Sequence, residues 1–295
     1  MNQKTTGILA ILGASVMWAI EPIFAKLSYA NSDFLHTSAI RAIVVALIAA
    51  IYVILANKSQ FKVTKVQIPK IIYIGIVGTV IADLLYFFSL AKISVVNAVL
   101  IGHMQPIFII LIGFFILKSD KLTKYDYTGI FIMMLAGLLV TTKTFQNLSV
   151  LRLGTKGDLL VLFATIAWAT TAITMRKYLR DLNAGVLTFY RFLVASIAFV
   201  AYLSFTSSVV LSNAYQILVG VIVSFGTILY YEGLKRIKAA EVSALELSSP
   251  FFAALLGFLF LGEIVTSMQI LGIALLILGV YFLCKKEGYA LKKHY

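Results

Sequence analysis

The chain has 295 residues, a formal net charge of +13, 61% hydrophobic residues, only 13% charged ones and a mean hydropathy of +0.99. A soluble domain carries about 25% charged and about 45–50% apolar residues, so too few charges remain here to cover a water-facing surface. An ordinary soluble enzyme is excluded. So is a nucleic-acid-binding domain, because the basic residues fall in short clusters between apolar runs, and the single cysteine, Cys284, rules out an intrachain disulfide or a cysteine-based metal site.

Ten apolar segments follow one another, each near the roughly 20 residues that cross a bilayer. The first, 7–27, lies after Lys4 and before "SYA" (28–30), which resembles a signal-peptide cleavage site. Its length exceeds the ~7–15 apolar residues of a signal core, so it reads as a membrane helix. It holds Trp18 and the adjacent Glu21 and Pro22. Next come 34–56 with Arg41, 70–91 with Asp83 and Tyr86, 93–118 with His103, Gln105 and Pro106, and 125–143. Beyond a polar link lie 157–178 with Trp168, 185–206 with Arg191, 213–234 with Tyr230, 239–262 with Glu246 and Pro250, and 266–285. Helices are expected throughout, since backbone amides in lipid must be satisfied within the segment.

Ten spans divide the basic residues unequally. Lys4 and those within 58–70, 118–124, 176–180, 235–238 and 285–293 make eighteen on one face, against Lys26, Lys92, Lys143, Arg152 and Lys156 on the other. Arg41 and Arg191 lie inside helices. The bias places both termini in the cytoplasm.

The two tryptophans, Trp18 and Trp168, are 150 residues apart. At that offset "GILAILGASVMWAIEPIFAK" (7–26) aligns with "GDLLVLFATIAWATTAITMR" (157–176), and Arg41 aligns with Arg191. Later the offset shortens to 144, matching Tyr86 to Tyr230 and Pro106 to Pro250, and then to 143. The chain thus divides into two five-helix halves, 1–145 and 153–286, with a basic cytoplasmic tail at 287–295. An odd number of helices per half makes the second copy inverted, an architecture recurrent in secondary transporters with midplane sites between the repeats. The expected fold class is an all-α integral membrane protein of ten transmembrane helices in two inverted-topology repeats.

The stretches "GDLLVLFATIAWATTAITMRK" (157–177), "FYRFLVA" (189–195) and "LELSSPFFAALLGFLFLGEIVTSMQILGIALLILGVYF" (245–282) resemble the ten-helix EamA-type branch of the drug/metabolite transporter superfamily. The resemblance spans the chain. It implies a carrier of a small metabolite, with export, amino acids among the substrates, and drive by an ion gradient or by exchange. One departure is "LKSD" (117–120) in the first half where the second has "LGEI" (261–264), so the helix-ending Glu263 is missing or displaced in the first half.

Charged residues within membrane helices cost about 2.5–3.5 kcal/mol on insertion scales and therefore face a cavity or a partner. Glu21 and Arg41 fall at matching depths on consecutive helices and are expected to pair. Arg191 is matched in depth by Glu246, an expected second pair. Asp83 and His103 fall nearest the midplane and are candidates for proton coupling. Trp18, Trp168, Tyr86, Tyr230 and Gln105 are candidate cavity walls, with tight helix packing as the other reading. Pro22, Pro106 and Pro250 each remove a helix hydrogen bond and are candidate hinges. No phosphate-binding glycine loop or "HExxH" occurs, so no cofactor and no metal is expected.

The reading that results is a secondary transporter in the cytoplasmic membrane of a prokaryote, not an enzyme. Its partners are a small-molecule substrate, the lipid bilayer and protons as a coupling ion, with the chain a monomer or dimer. An organic-anion or phosphorylated-metabolite exchanger would instead use Arg41 and Arg191 as charge clamps. A passive channel or a membrane-embedded enzyme is the alternative of a different class.

Overall fold

The computed structural model describes residues 3–55, 61–115, 123–150, 154–237, 242 and 245–292, with side chains omitted at 114 and from 283 onward. Every regular element among the described residues is helical. In chain order they are α1 (Gln3–Ser28), α2 (Phe34–Leu55), α3 (Ile68–Leu90), α4 (Val95–Gly102), α5 (Gln105–Phe115), α6 (Lys124–Thr142) and α7 (Phe145–Ser149). There follow α8 (Lys156–Tyr178), α9 (Ala184–Thr206), α10 (Ala214–Arg236), α11 (Ser248–Leu261) and α12 (Ser267–Lys292).

Eight spans are long and apolar enough to cross a membrane, α4 and α5 forming one of them as Val95–Gly113. Two further apolar helices, Ser248–Leu261 and Ser267–Phe282, are shorter. Residues 238–241, where the ninth expected segment begins, lie outside the described residues. The last helix runs on to Lys292, through residues expected to form a tail.

Sequence explains the ends of these helices. Thr123 with Asp126 and Thr155 with Asp158 form capping boxes that start α6 and α8, each carboxylate returning to the cap backbone. Ser94 and Asn183 cap α4 and α9. Gly262, at φ 65°, turns the chain out of α11 in the left-handed conformation that glycine adopts without steric cost.

Two helices break before a proline. α4 stops at Gly102, His103 and Met104 form a turn, and α5 resumes at Gln105 with Pro106 in its first turn. At Leu247 a turn precedes α11, whose first turn holds Pro250. A proline ring lacks the N–H and clashes with the preceding turn, but is tolerated at a helix start. Pro22 behaves differently: it sits inside an uninterrupted α1. The middle of α3, Ile74–Asp83, is wound as a π-helix.

The bundle turns small residues inward and large apolar ones outward. Ala14, Ala19, Ala25, Ala39, Ala42 and Ala49 are fully buried between helices, while Leu47, Ile51, Phe131, Phe251 and Ile270 are more than half exposed. Lipid supplies little drive for helix association, so close backbone approach at small residues has to provide it. α1 packs chiefly on α10, α2 on α9, α3 on α8 and α9, and α6 on α12. The dominant contacts therefore join the first part of the chain to the second, and a cavity lies between them.

Candidate functional site

The cavity measures about 210 Å³ and is walled by α1, α2, α3, α4, α5, α8, α9 and α10. Trp18, Glu21, Arg41, Asp83, Tyr86, His103, Gln105, Pro106, Trp168, Arg191, Tyr230 and Glu246 all line it. Pro22 and Pro250 do not.

Arg41 is the centre of its charge network. Its side chain is only 2% exposed, and a buried guanidinium needs carboxylate partners. It has two: Nη1 donates to Glu21 at 3.1 Å and Nη2 to Asp83 at 2.9 Å. The face of Phe87 lies 4.4 Å from the guanidinium carbon. The expected Glu21–Arg41 contact is thus present, but shared with Asp83, which helix depth alone did not join to it.

Asp83 ties three helices to one carboxylate. Besides Arg41 it accepts from the indole of Trp168 at 2.7 Å, and Arg191 Nη2 stands 3.7 Å away. That indole also reaches the carbonyl of Gly78 at 3.1 Å. The π-wound backbone presents Gly78 O and Thr79 to α8 and α9, so Arg191 Nε donates to Thr79 Oγ1 at 2.8 Å. Arg191 Nη1 donates to the Tyr231 hydroxyl at 3.1 Å.

The expected Arg191–Glu246 pair is absent. Depth along a helix does not fix the face: α9 packs on α3, which brings Arg191 to Asp83, whereas Glu246 shares its part of the cavity wall with Arg176. Thr79, Tyr231 and Arg176 were not anticipated. Tyr231 follows the anticipated Tyr230, and Arg176 had been counted as an end-of-helix topology signal.

Aromatic rings complete the walls. Trp18 stacks against Tyr230 with ring centroids 4.8 Å apart, and Trp168 against Tyr86 at 5.3 Å. His103, at the α4–α5 break, places Nδ1 2.7 Å from the carbonyl of Val99, which also accepts the His103 backbone amide at 3.0 Å. Among the described residues no group of three or more His, Cys, Asp or Glu could hold a metal ion.

The cavity reaches Arg176, Leu234 and Val242 at one end. At the other, polar contacts bridge the helices: Asn97 to Asp158 at 2.8 Å and Gln269 to Asn97 at 2.7 Å are buried, while Gln216 to Ser32 at 2.8 Å and Lys26 to Glu263 at 2.8 Å are partly so.

An apolar helical bundle around a partly open, charge-paired cavity is the arrangement that a membrane transporter requires. The chain belongs to the EamA-like transporter family, which it matches over residues 5–142 and again over 155–284, within the drug/metabolite transporter superfamily. It is 28% identical over 251 residues to YyaM of Bacillus subtilis (strain 168), described as an uncharacterized transporter, covering 81% of this chain and 79% of that one. The transporter sll1164 of Synechocystis sp. (strain ATCC 27184 / PCC 6803 / Kazusa) is 27% identical over 220 residues, covering 70% and 62%. A solved crystal structure superposes with a TM-score of 0.68 over 95% of this chain and 96% of that one; at 15% identity the likeness is one of fold.

Proposed function

We propose that the chain is a ten-helix secondary transporter of two inverted repeats, 1–145 and 153–286, that exports a small zwitterionic metabolite, an amino acid or related compound, by alternating access. The observation that carries this reading is charge balance inside an aromatic wall. Three carboxylates (Glu21, Asp83, Glu246) and three guanidinium groups (Arg41, Arg176, Arg191) line one cavity with Trp18, Trp168, Tyr86 and Tyr230. Equal numbers of acidic and basic side chains, with the signs set apart, suit a ligand that itself carries both charges.

The inverted-repeat reading is supported by matched contacts. Tyr86 on Trp168 mirrors Tyr230 on Trp18, and a Cβ on Gly157 would meet Ile93 at 2.6 Å as one on Gly7 would meet Ile237 at 2.7 Å. The basic-residue bias supports cytoplasmic termini in a prokaryotic cytoplasmic membrane. Both halves lie in one chain, so a monomer is sufficient and a dimer is permitted. The organic-anion reading is weakened because Glu21 and Asp83 already neutralise Arg41. Asp83 and His103, both on the wall, are the groups proposed to couple protons.

Reconstitution in liposomes tests the proposal. Uptake of labelled neutral and aromatic amino acids is expected to saturate and to rise with an imposed pH gradient, and Asp83→Asn is expected to abolish that rise. Saturable flux indifferent to the gradient would remove the proton role. Flux that never saturates would favour a channel.

A further inference from the structure

Glu263 stands where three elements meet, away from the cavity. Its Oε1 accepts Lys26 Nζ from the end of α1 at 2.8 Å and the amide of Val95 at 2.9 Å, and its Oε2 accepts the amide of Val96 at 3.3 Å. One carboxylate thus satisfies two of the amide groups that the first turn of α4 leaves open and neutralises a lysine from α1. Two residues on, the Asn97 side chain is held by Asp158 of α8 and Gln269 of α12. The start of α4 is therefore gripped from α1, α8 and the α11–α12 connection together. Ala98, Val99 and Gly102 on the same short helix line the cavity. A turn at His103 and Met104 separates α4 from α5.

We propose that this clasp is the gate that closes the cavity at the α4 end, with Glu263 as its release residue. The inference rests on the alternating-access reading above. The Asn97–Asp158–Gln269 contacts are buried, whereas the side chains of Lys26 and Glu263 are 24% and 12% exposed, so water reaches the ionic part of the clasp first. An ion pair at a wet rim is worth little net free energy and exchanges readily with water, which suits a contact made and broken in each cycle. At the position of Glu263 the first half has Ser119, within Lys-Ser-Asp at 118–120 where the second half reads Gly-Glu-Ile at 262–264. The two ends of the pathway are on this account closed by different chemistry.

The test needs no substrate. In a Cys284→Ser background, Gly102→Cys supplies a single thiol on the cavity wall at the end of α4, where a Cβ meets only the Trp168 ring, at 3.7 Å. A membrane-impermeant maleimide is applied from each side of oriented vesicles. Losing charge-assisted hydrogen bonds should raise labelling from the clasp side about tenfold in Glu263→Ala. Glu263→Gln, which keeps one acceptor for Val95, should fall between Glu263→Ala and the parent. Labelling from the opposite side reports that each variant is folded. Clasp-side labelling that is measurable in the parent and unchanged in Glu263→Ala would overturn the gate while leaving alternating access standing. No clasp-side labelling in any variant would overturn both.

Discussion

Arg41 shows how one side chain organises the site. A buried ion pair adds little stability relative to apolar packing, but removing one partner strands the other charge, at about 3–5 kcal/mol. Arg41→Ala would strand Glu21 and leave Asp83 only the Trp168 indole and the more distant Arg191, and the two carboxylate side chains are only 13% and 7% exposed. The variant is expected to lose about 3 kcal/mol of stability, read as a lower thermal-unfolding midpoint in detergent. Arg191→Gln should cost less, because it leaves Asp83 its contacts with Arg41 and Trp168. Equal losses in the two variants would remove Arg41 from the centre of the network. The Glu21–Arg41 contact was legible in the sequence from the matched depths of the two residues on consecutive antiparallel helices, because a long arginine side chain reaches across even though α1 and α2 themselves touch little. Asp83 could not be added to it, since the face that α3 presents to α2 depends on packing that no local pattern encodes.

At the scale of elements, two helix crossings repeat each other. A Cβ on Gly75 of α3 would meet Val194 Cβ at 2.8 Å and the carbonyl of Arg191 at 3.0 Å. One on Gly220 of α10 would meet Val44 Cβ at 2.6 Å and the carbonyl of Arg41 at 3.2 Å. These glycines set how close α3 and α10 come to the helices carrying the two arginines. Gly75→Ala and Gly220→Ala are each expected to destabilise by about 1–3 kcal/mol through overpacking. Val194→Ala and Val44→Ala should each recover part of that loss, and thermal-unfolding midpoints for the double-mutant cycles would check it. The same equivalences account for the π-winding. Gly75 to Tyr86 is eleven steps along the chain and Gly220 to Tyr230 only ten, so α3 holds one residue more. A π-turn takes up such an extra residue while the helix continues on both sides. The shortening offset between the halves was visible in the sequence, but the widened helix that absorbs part of it, and turns Gly78 O and Thr79 toward Arg191, was not.

For the whole molecule, the decisive property is that the two family-matched segments bury their faces mainly in each other. α1 lies on α10, α2 on α9, α3 on α8 and α9, and α6 on α12, while neighbours in sequence such as α1 and α2 touch little. Composition and hydrophobic periodicity place helices in a membrane, and the repeated Trp, Arg and Pro positions point to two related halves. They say nothing about whether each half folds on itself, because a self-contained bundle and an interlocked one have the same apolar pattern. The structure favours interlocking, and a consequence follows for a chain cut after Ser149. Either half alone would expose to lipid the alanine-lined grooves and paired charges that the other half covers, at several kcal/mol for each polar group left open. Expressed separately, each half is expected to be degraded. Expressed together, the halves should co-purify and restore saturable transport to about the uncut level, since the cut falls in the α7 connection and touches no cavity residue. Either half proving stable and monodisperse alone would make it an autonomous bundle and place the interlock late in folding.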